Sequence, residues 1–444
     1  MKSIYCASGL IRKTVFAAAA SACFAAETAY ADVTALGPVF DINSDYKTDS
    51  HDAGTRIAKN AAGDFVIIYH AGYSIYAREY TASGTAKGPE ITVTSNAGAG
   101  ATVAIDDDGD YVVTWSATTP TTDSLNLQHI LAQRYKANGS LSGDQVDVTS
   151  VSIPGTSNYD IVSAGPLISM DADGDYVIAW TEDHMTYLPI PAYIHLGGAK
   201  STVTYARIYD VKGAPKSAAI VVDKTAKQLF SNFTPFPRAS SQFIFGLAVA
   251  PSGNFVTITS VQSKIGHQQF VAKRFDAQGK GVGLPATVSS FSTSGGIPTI
   301  GGVHMDSSGD FDVDWIDYSV DESGYSVSVY KARQYSANGS PKGESIVLTS
   351  SPDYITGASL AVEPSGSFVA AWQVSQVIST SFSIQPFLAN GSANGAPLVM
   401  TAPTDNSDFA TAIDGNGGFV AAWHQQIVAS NEPIAIVAQL FQVP

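Results

Sequence analysis

A short unit returns seven times along this chain of 444 residues: a turn containing glycine, then an aromatic residue, two or three apolar residues and, in most copies, tryptophan. It reads Phe65-Val66-Ile67-Ile68-Tyr69 after Gly63, Tyr111-Val112-Val113-Thr114-Trp115 after Gly109, and Tyr176-Val177-Ile178-Ala179-Trp180 after Gly174; further copies follow Gly253, Gly309, Gly366 and Gly417. A unit of this size cannot bury its own apolar face, so a chain built from such units must stack them side by side.

Inside a copy the pattern has the period of two that marks strands. In the second copy Thr102 to Ile105 is strand one, Asp106-Asp107-Asp108-Gly109 a tight turn, and Tyr111 to Trp115 strand two. Ile130 to Tyr135 is strand three, and the turn Lys136-Ala137-Asn138-Gly139-Ser140 leads to strand four at Gln145 to Val148. That turn recurs at Asn338-Gly339 and Asn390-Gly391, where Asn-Gly supplies the positive φ of a hairpin. After residue 31 the sequence predicts no amphipathic helix.

The two ends decide between an open array and a ring. The seventh copy stops after its third strand at Phe441-Gln442-Val443-Pro444, while an orphan fourth-strand segment, Gly37-Pro38-Val39-Phe40-Asp41-Ile42, precedes the first copy. Closing the ring with that segment removes exposed sheet edges. The predicted fold is all-β: a seven-bladed β-propeller of four-stranded antiparallel blades over residues 32–444, with an N-terminal strand completing the last blade.

The wording of the repeat resembles bacterial secreted and surface proteins, including large RTX-type exoproteins, that carry a D-x-x-G-[DN]-[FY]-V-V-x-W unit followed by an A-[QR]-x-[FY]-x-x-x-G-x-x-x-G unit. The second half is visible at Ala132-Gln133-Arg134-Tyr135 through Gly139 and Gly143, and at Ala332-Arg333-Gln334-Tyr335 through Gly339 and Gly343. The resemblance implies a propeller-like extracellular module and no particular activity. The glycine-rich calcium-binding nonapeptides of RTX proteins are absent from the sequence.

Residues 1–31 read as a secretory signal: Lys2, Arg12 and Lys13 precede an apolar stretch from Thr14 to Ala26, and Ala29-Tyr30-Ala31 offers a cleavage site. The expected destination is periplasmic or extracellular. Lipoprotein processing at Cys23 is the competing reading, and the usual Leu is missing there. Both cysteines, Cys6 and Cys23, fall inside the signal, so the mature chain would hold no disulfide or thiolate. No later stretch approaches the length of a membrane span. Removing residues 1–31 takes away three basic residues and one acidic one, which moves the formal charge from −15 to −17. Such an acidic surface argues against nucleic acid as a partner.

Insertions show where function could sit. Marker glycines are 46, 65, 79, 56, 57 and 51 residues apart, so the excess gathers around blade three. Three expected loops converge there, Val151 to Gly165, Thr181 to Lys200 and Lys224 to Gln242, and they carry His184, Tyr187, Tyr193, His195, Phe233 and Arg238 as candidate ligand-binding residues. Aromatics with polar rims on a rigid scaffold suit sugar rings or peptide segments. The alternative reading is that these loops pack on one another and cap the ring. Trp115, Trp180, Trp315, Trp372 and Trp423 all stand six residues after a marker glycine, which reads as blade-to-blade packing.

Two groups of carboxylates call for separate readings. Asp106 and Asp108, with Asp171 and Asp173, are weak candidates for calcium, because in the oxygen-cage loop glycine follows the third ligand whereas Gly109 and Gly174 interrupt these runs. Ordinary Asp-Gly turn chemistry explains them without an ion. In blade five Asp312 and Asp314 replace Val112 and Thr114 of blade two on one strand face, toward a neighbouring blade, so they need partners, His304 among the candidates. No phosphate cradle, H-E-x-x-H or G-x-S-x-G is present. The reading taken from sequence is a secreted, non-enzymatic module that binds carbohydrate or an extracellular protein through the face around blade three. The alternatives are a polysaccharide-acting hydrolase or lyase using Asp312 and Asp314, and a structural envelope component.

Overall fold

The computed structural model describes residues 33–43, 54–98, 100–120, 126–149, 158–187, 197–225, 228–231, 243–264, 267–292, 298–320, 324–363, 366–376, 380–402, 409–414, 417–425 and 435–442. The signal and its cleavage site lie outside these residues. Every regular element is a strand, and the sheets form the seven blades of a β-propeller. Blade one holds Arg56–Lys59, Phe65–Ala71, Ser74–Tyr80 and Ile91–Thr94; blade two holds Ala101–Ile105, Tyr111–Pro120, Asn126–Tyr135 and Val146–Asp147. Blade three holds Asn158–Met170, Tyr176–Tyr187, Gly197–Tyr209 and Ile220–Lys224, with Gln228–Ser231 added at the far end of its third strand. Blade four comprises Ile244–Val249, Phe255–Lys264, His267–Phe275 and Ala286–Ser292. Blade five comprises Thr299–Met305, Phe311–Val320, Ser326–Tyr335 and Ile346–Ser351. Blade six comprises Tyr354–Val362, Phe368–Ser375, Thr380–Phe387 and Leu398–Ala402.

Blade seven is assembled from both ends of the chain. Phe409–Ile413, Gly418–Gln425 and Ala435–Gln442 supply three strands, and the N-terminal segment closes the sheet by pairing Thr34 with Gln442, Ala35 with Phe441, Phe40 with Ala438 and Asp41 with Val437. Asn43 Oδ1 accepts the Ile436 N–H at 2.8 Å and ends the pairing. The innermost strands touch in sequence around the ring, the last step being Phe409–Ile413 against Arg56–Lys59.

Each half of the repeat has a partner in the other half. The aromatic two residues after the marker glycine stands directly across from the aromatic that ends the third strand, and the rings stack in all seven blades: Phe65 on Tyr80, Tyr111 on Tyr135, Tyr176 on Tyr209, Phe255 on Phe275, Phe311 on Tyr335, Phe368 on Phe387 and Phe419 on Phe441. Centroids are 4.7 to 5.1 Å apart, the offset distance that such pairs prefer. Marker glycines have φ between 77° and 90°, which the turn ahead of each pair needs and which costs least without a Cβ.

Period two then divides each second strand between two neighbours. Tyr111, Val113 and Trp115 pack with Val66 and Ile68 of blade one, while Val112 joins Ile178 and Trp180 of blade three. Seven such apolar clusters fill the seven joints of the ring. All five tryptophans lie in these joints and are at most 6% exposed, so the repeated slot is core. Removing one stacked ring should cost about 3–5 kcal/mol through lost burial and the cavity left behind. We expect Phe311→Ala to lower the urea midpoint accordingly, whereas Tyr73→Ala, at a site 78% exposed, should change stability by less than about 0.5 kcal/mol.

Candidate functional site

Carboxylates at the first turn of each blade have structural duties. The first turn residue accepts backbone N–H bonds: Asp106 Oδ1 takes Asp110 N–H at 2.8 Å and Asp171 Oδ1 takes Asp175 N–H at 2.9 Å, while Asn60 does the same for Asp64 at 2.9 Å in blade one. The residue after the marker glycine bridges to the second turn of its own blade. Asp110 Oδ1 accepts Ala137 N–H and its Oδ2 meets Lys136 at 2.5 Å; Asp175 takes Val211 N–H and Lys216, and Asp310 takes Ala337 N–H and Lys342. The sequence reading missed this bridge. Its signal was present in the recurrence of Asp64, Asp110, Asp175, Asn254 and Asp310 at one slot, each followed by a lysine at or just past the second turn, four of the five being acidic. Asp108 and Asp173 point to solvent while Asp106 and Asp171 turn inward, so each calcium candidate pair is split between two environments.

Burial raises the Asp106 carboxyl to about 6. The protonated form is therefore favoured in the fold; its contribution is complete below the unfolded value near 4 and is lost as pH rises through about 6. Asn60 shows that an amide fills this slot equally well. Asp106→Asn should match the wild type at pH 4 and exceed it by up to about 3 kcal/mol at pH 7.5, at about 1.4 kcal/mol per pK unit over the roughly two units from 3.8 to about 6. A pH series of melting curves checks this, and a variant less stable than wild type at pH 7.5 contradicts it.

Blade three rises above its siblings. Stretches read from sequence as loops, within Val151 to Gly165, Thr181 to Lys200 and Lys224 to Gln242, are partly strand: pairing of the second and third strands continues to Tyr187 opposite Gly198, and Gln228–Ser231 adds a further strand. Alternating Thr181, Asp183, Thr202 and Thr204 explains the extension, since Thr181 and Thr204 hydroxyls meet at 3.2 Å and Thr202 donates to Asp183 at 2.6 Å across the pair. On the other face Trp180, Glu182 and His184 stand in a row toward blade two. Trp180 Nε1 donates to Glu182 Oε1 at 2.7 Å, Glu182 Oε2 lies 3.6 Å from His184 Nε2, and His184 Nε2 lies 3.2 Å from the Tyr205 hydroxyl. Tyr205 stacks on Trp180 at 5.6 Å and meets His184 edge-on at 6.1 Å. Glu182 and His184 keep 14% and 28% of their side chains exposed. The slot of Glu182 holds Ala71, Ala117, Val261 and Val374 in blades one, two, four and six, and Asp317 and Gln425 in blades five and seven. Of the ligand-binding candidates, His184 belongs to this row and Tyr187 ends the strand, while Tyr193, His195, Phe233 and Arg238 lie outside the described residues.

Blade five carries the second polar group. Asp312 and Asp314 face blade six, where Ile316, Tyr330 and Ala332 meet Leu360 and Trp372. Asp314 is fully buried and its Oδ2 accepts the Tyr330 hydroxyl at 2.8 Å; His304 Nε2 stands 3.6 Å from its Oδ1. Burial pushes Asp312 up to about 6 against the pull of His304 and a Gln334 hydrogen bond. Space for the cluster comes from Gly301 and Gly302, since a Cβ at 301 would sit 1.9 Å from Asp314 Oδ2. His304 lies on the innermost strand with 31% of its side chain exposed.

No protein-family model matches the chain. No curated protein sequence matches it either. Among solved structures the chain is similar to a polysaccharide lyase, with 12% identity over 94% of this chain and 99% of that one and a TM-score of 0.49. It is also similar to an α-L-arabinanase of Penicillium chrysogenum, with 13% identity over 76% of this chain and 92% of that one and a TM-score of 0.45. A protein of unknown function from Dyadobacter fermentans shares 11% identity over 93% of this chain and 100% of that one, with a TM-score of 0.44. Likeness at this level is one of fold, and function rests on the side chains above.

Proposed function

We propose that the protein is a carbohydrate-binding propeller whose contact surface is the raised hairpin of blade three. One observation carries this reading: blade three presents a linked row of carboxylate, imidazole and phenol beside an indole, at a slot that is small or apolar in blades one, two, four and six and holds Asp317 and Gln425 in blades five and seven. Carboxylate and imidazole atoms match the donors and acceptors of sugar hydroxyls. The hydrogen bonds among Trp180, Glu182, His184 and Tyr205 hold the row in place, which lowers the ordering cost of binding.

A second reading, cleavage of a polysaccharide by Asp312 and Asp314, draws on the Asp312 carboxyl being held protonated up to about pH 6 beside a second buried carboxyl. Turnover lost in an Asp312→Asn, Asp314→Asn double variant would favour it.

A glycan array probed with the full chain tests the leading reading. Selective binding should appear, and Glu182→Ala with His184→Ala should weaken it at least tenfold while the melting temperature stays within about 3 °C. Binding that is unchanged in this double variant contradicts the placement, and an array blank throughout contradicts the sugar.

A further inference from the structure

Two departures from the repeat meet in blade five. His304 stands where the other blades have Ala58, Ala104, Ser169, Ala248, Ala361 and Ala412, each across from the residue three after the marker glycine. Asp314 stands where Ile68, Thr114, Ala179, Ile258, Ala371 and Ala422 stand in the other blades. The slot of His304 is small in every sibling, and no sibling has a charge at either slot. An imidazole and a carboxylate together at these two slots, with Gly301 and Gly302 beside them, are a local exchange of packing for chemistry.

The exchange leaves two polar atoms idle. Asp314 Oδ1 and His304 Nε2 are both shut off from solvent, and among the described residues neither has a hydrogen-bond partner. They face each other at 3.6 Å, beyond the 2.7–3.2 Å of an N–H···O bond. A fully buried carboxylate oxygen without a partner loses its hydration and gains nothing in return. The separation suits a different occupant. Two ligands held about 2.0–2.1 Å from one zinc ion at tetrahedral angles lie about 3.4 Å apart, so the 3.6 Å separation of these atoms is close to that of two ligands sharing one ion. An imidazole nitrogen with a carboxylate oxygen is a donor set for zinc and its neighbours, whereas calcium and magnesium favour oxygen alone.

We propose that His304 and Asp314 bind a divalent transition-metal ion of the zinc type, reached along the ring axis. Among the described residues no group of three or more His, Cys, Asp or Glu side chains forms a metal-holding set, so these side chains offer two ligands and the remaining positions would be filled by water that enters with the ion. The acidic chain, at a formal charge of −15, favours arrival of a cation.

Titration of the full chain with zinc chloride, followed by calorimetry, tests the proposal. One ion per chain should bind, without competition from calcium. His304→Ala installs the residue that sibling blades carry, so it should fold normally and weaken zinc binding at least tenfold. Asp314→Asn keeps an acceptor for Tyr330 and should weaken it similarly. His129→Ala removes the surface pair with Asp147, 3.1 Å apart, and should leave binding unchanged. Absence of saturable binding overturns the proposal, as does binding that survives His304→Ala or disappears with His129→Ala; the His304 variant decides the matter alone should Asp314→Asn fail to fold.

Discussion

Everything in this ring hangs on the stacked aromatic pair inside each blade. The two halves of the sequence repeat are at least twenty residues apart in blades two to five for a mechanical reason: one supplies the ring after the first turn and the other the ring that closes the third strand. Stacking fixes the register of the central two strands. Once that register is set, alternate residues of the second strand face alternate neighbours, and each joint between blades fills with Val, Ile and Trp. The acidic residue after the marker glycine clamps the two turns at the end of the same pair, through a backbone N–H and a lysine in four of the blades. Aromatic stack and charged clamp together make each blade a rigid wedge before it meets its neighbours.

Against so regular a background, chemistry shows as exceptions. Carboxylates at the turns either accept bonds within their own turn or clamp it to the next, and their repetition marks them as structural. Glu182 with His184 in blade three and His304 with Asp314 in blade five stand apart, each as a carboxylate beside an imidazole at positions the turns do not use. The first pair is part-buried on the long hairpin of blade three. The second lies beside Gly301 and Gly302 on the innermost strand of blade five, with Asp314 fully buried.

The fold was legible because its signals are periodic. Marker glycines, Asn-Gly turns and the split seventh copy gave blade number, strand order and the closure by Phe40–Asp41 directly from spacing. Aromatic slots read as core proved so, with Trp115 at 1% exposure. The extended strands of blade three were hidden because their alternation lies in threonine and charged residues rather than in Val or Ile, so Thr181 to Tyr187 read as loop. The row of Trp180, Glu182, His184 and Tyr205 joins residues over twenty positions apart through cross-strand register, which spacing in one strand cannot show. In blade five the need of Asp312 and Asp314 for partners was readable, and His304 was found; Tyr330 escaped notice because it lies on the third strand.

The central claim is that one chain closes the ring with its own two ends. Thr34 and Gln442 are direct partners across an antiparallel pair, a spacing that a disulfide spans without strain. In a Cys6→Ser, Cys23→Ser background, Thr34→Cys with Gln442→Cys provides the only two thiols of the chain. After mild oxidation, mass spectrometry should find an intrachain bond in monomeric protein at near-quantitative yield. Free thiols, or disulfide-linked dimers in place of the monomer, would contradict the closed ring.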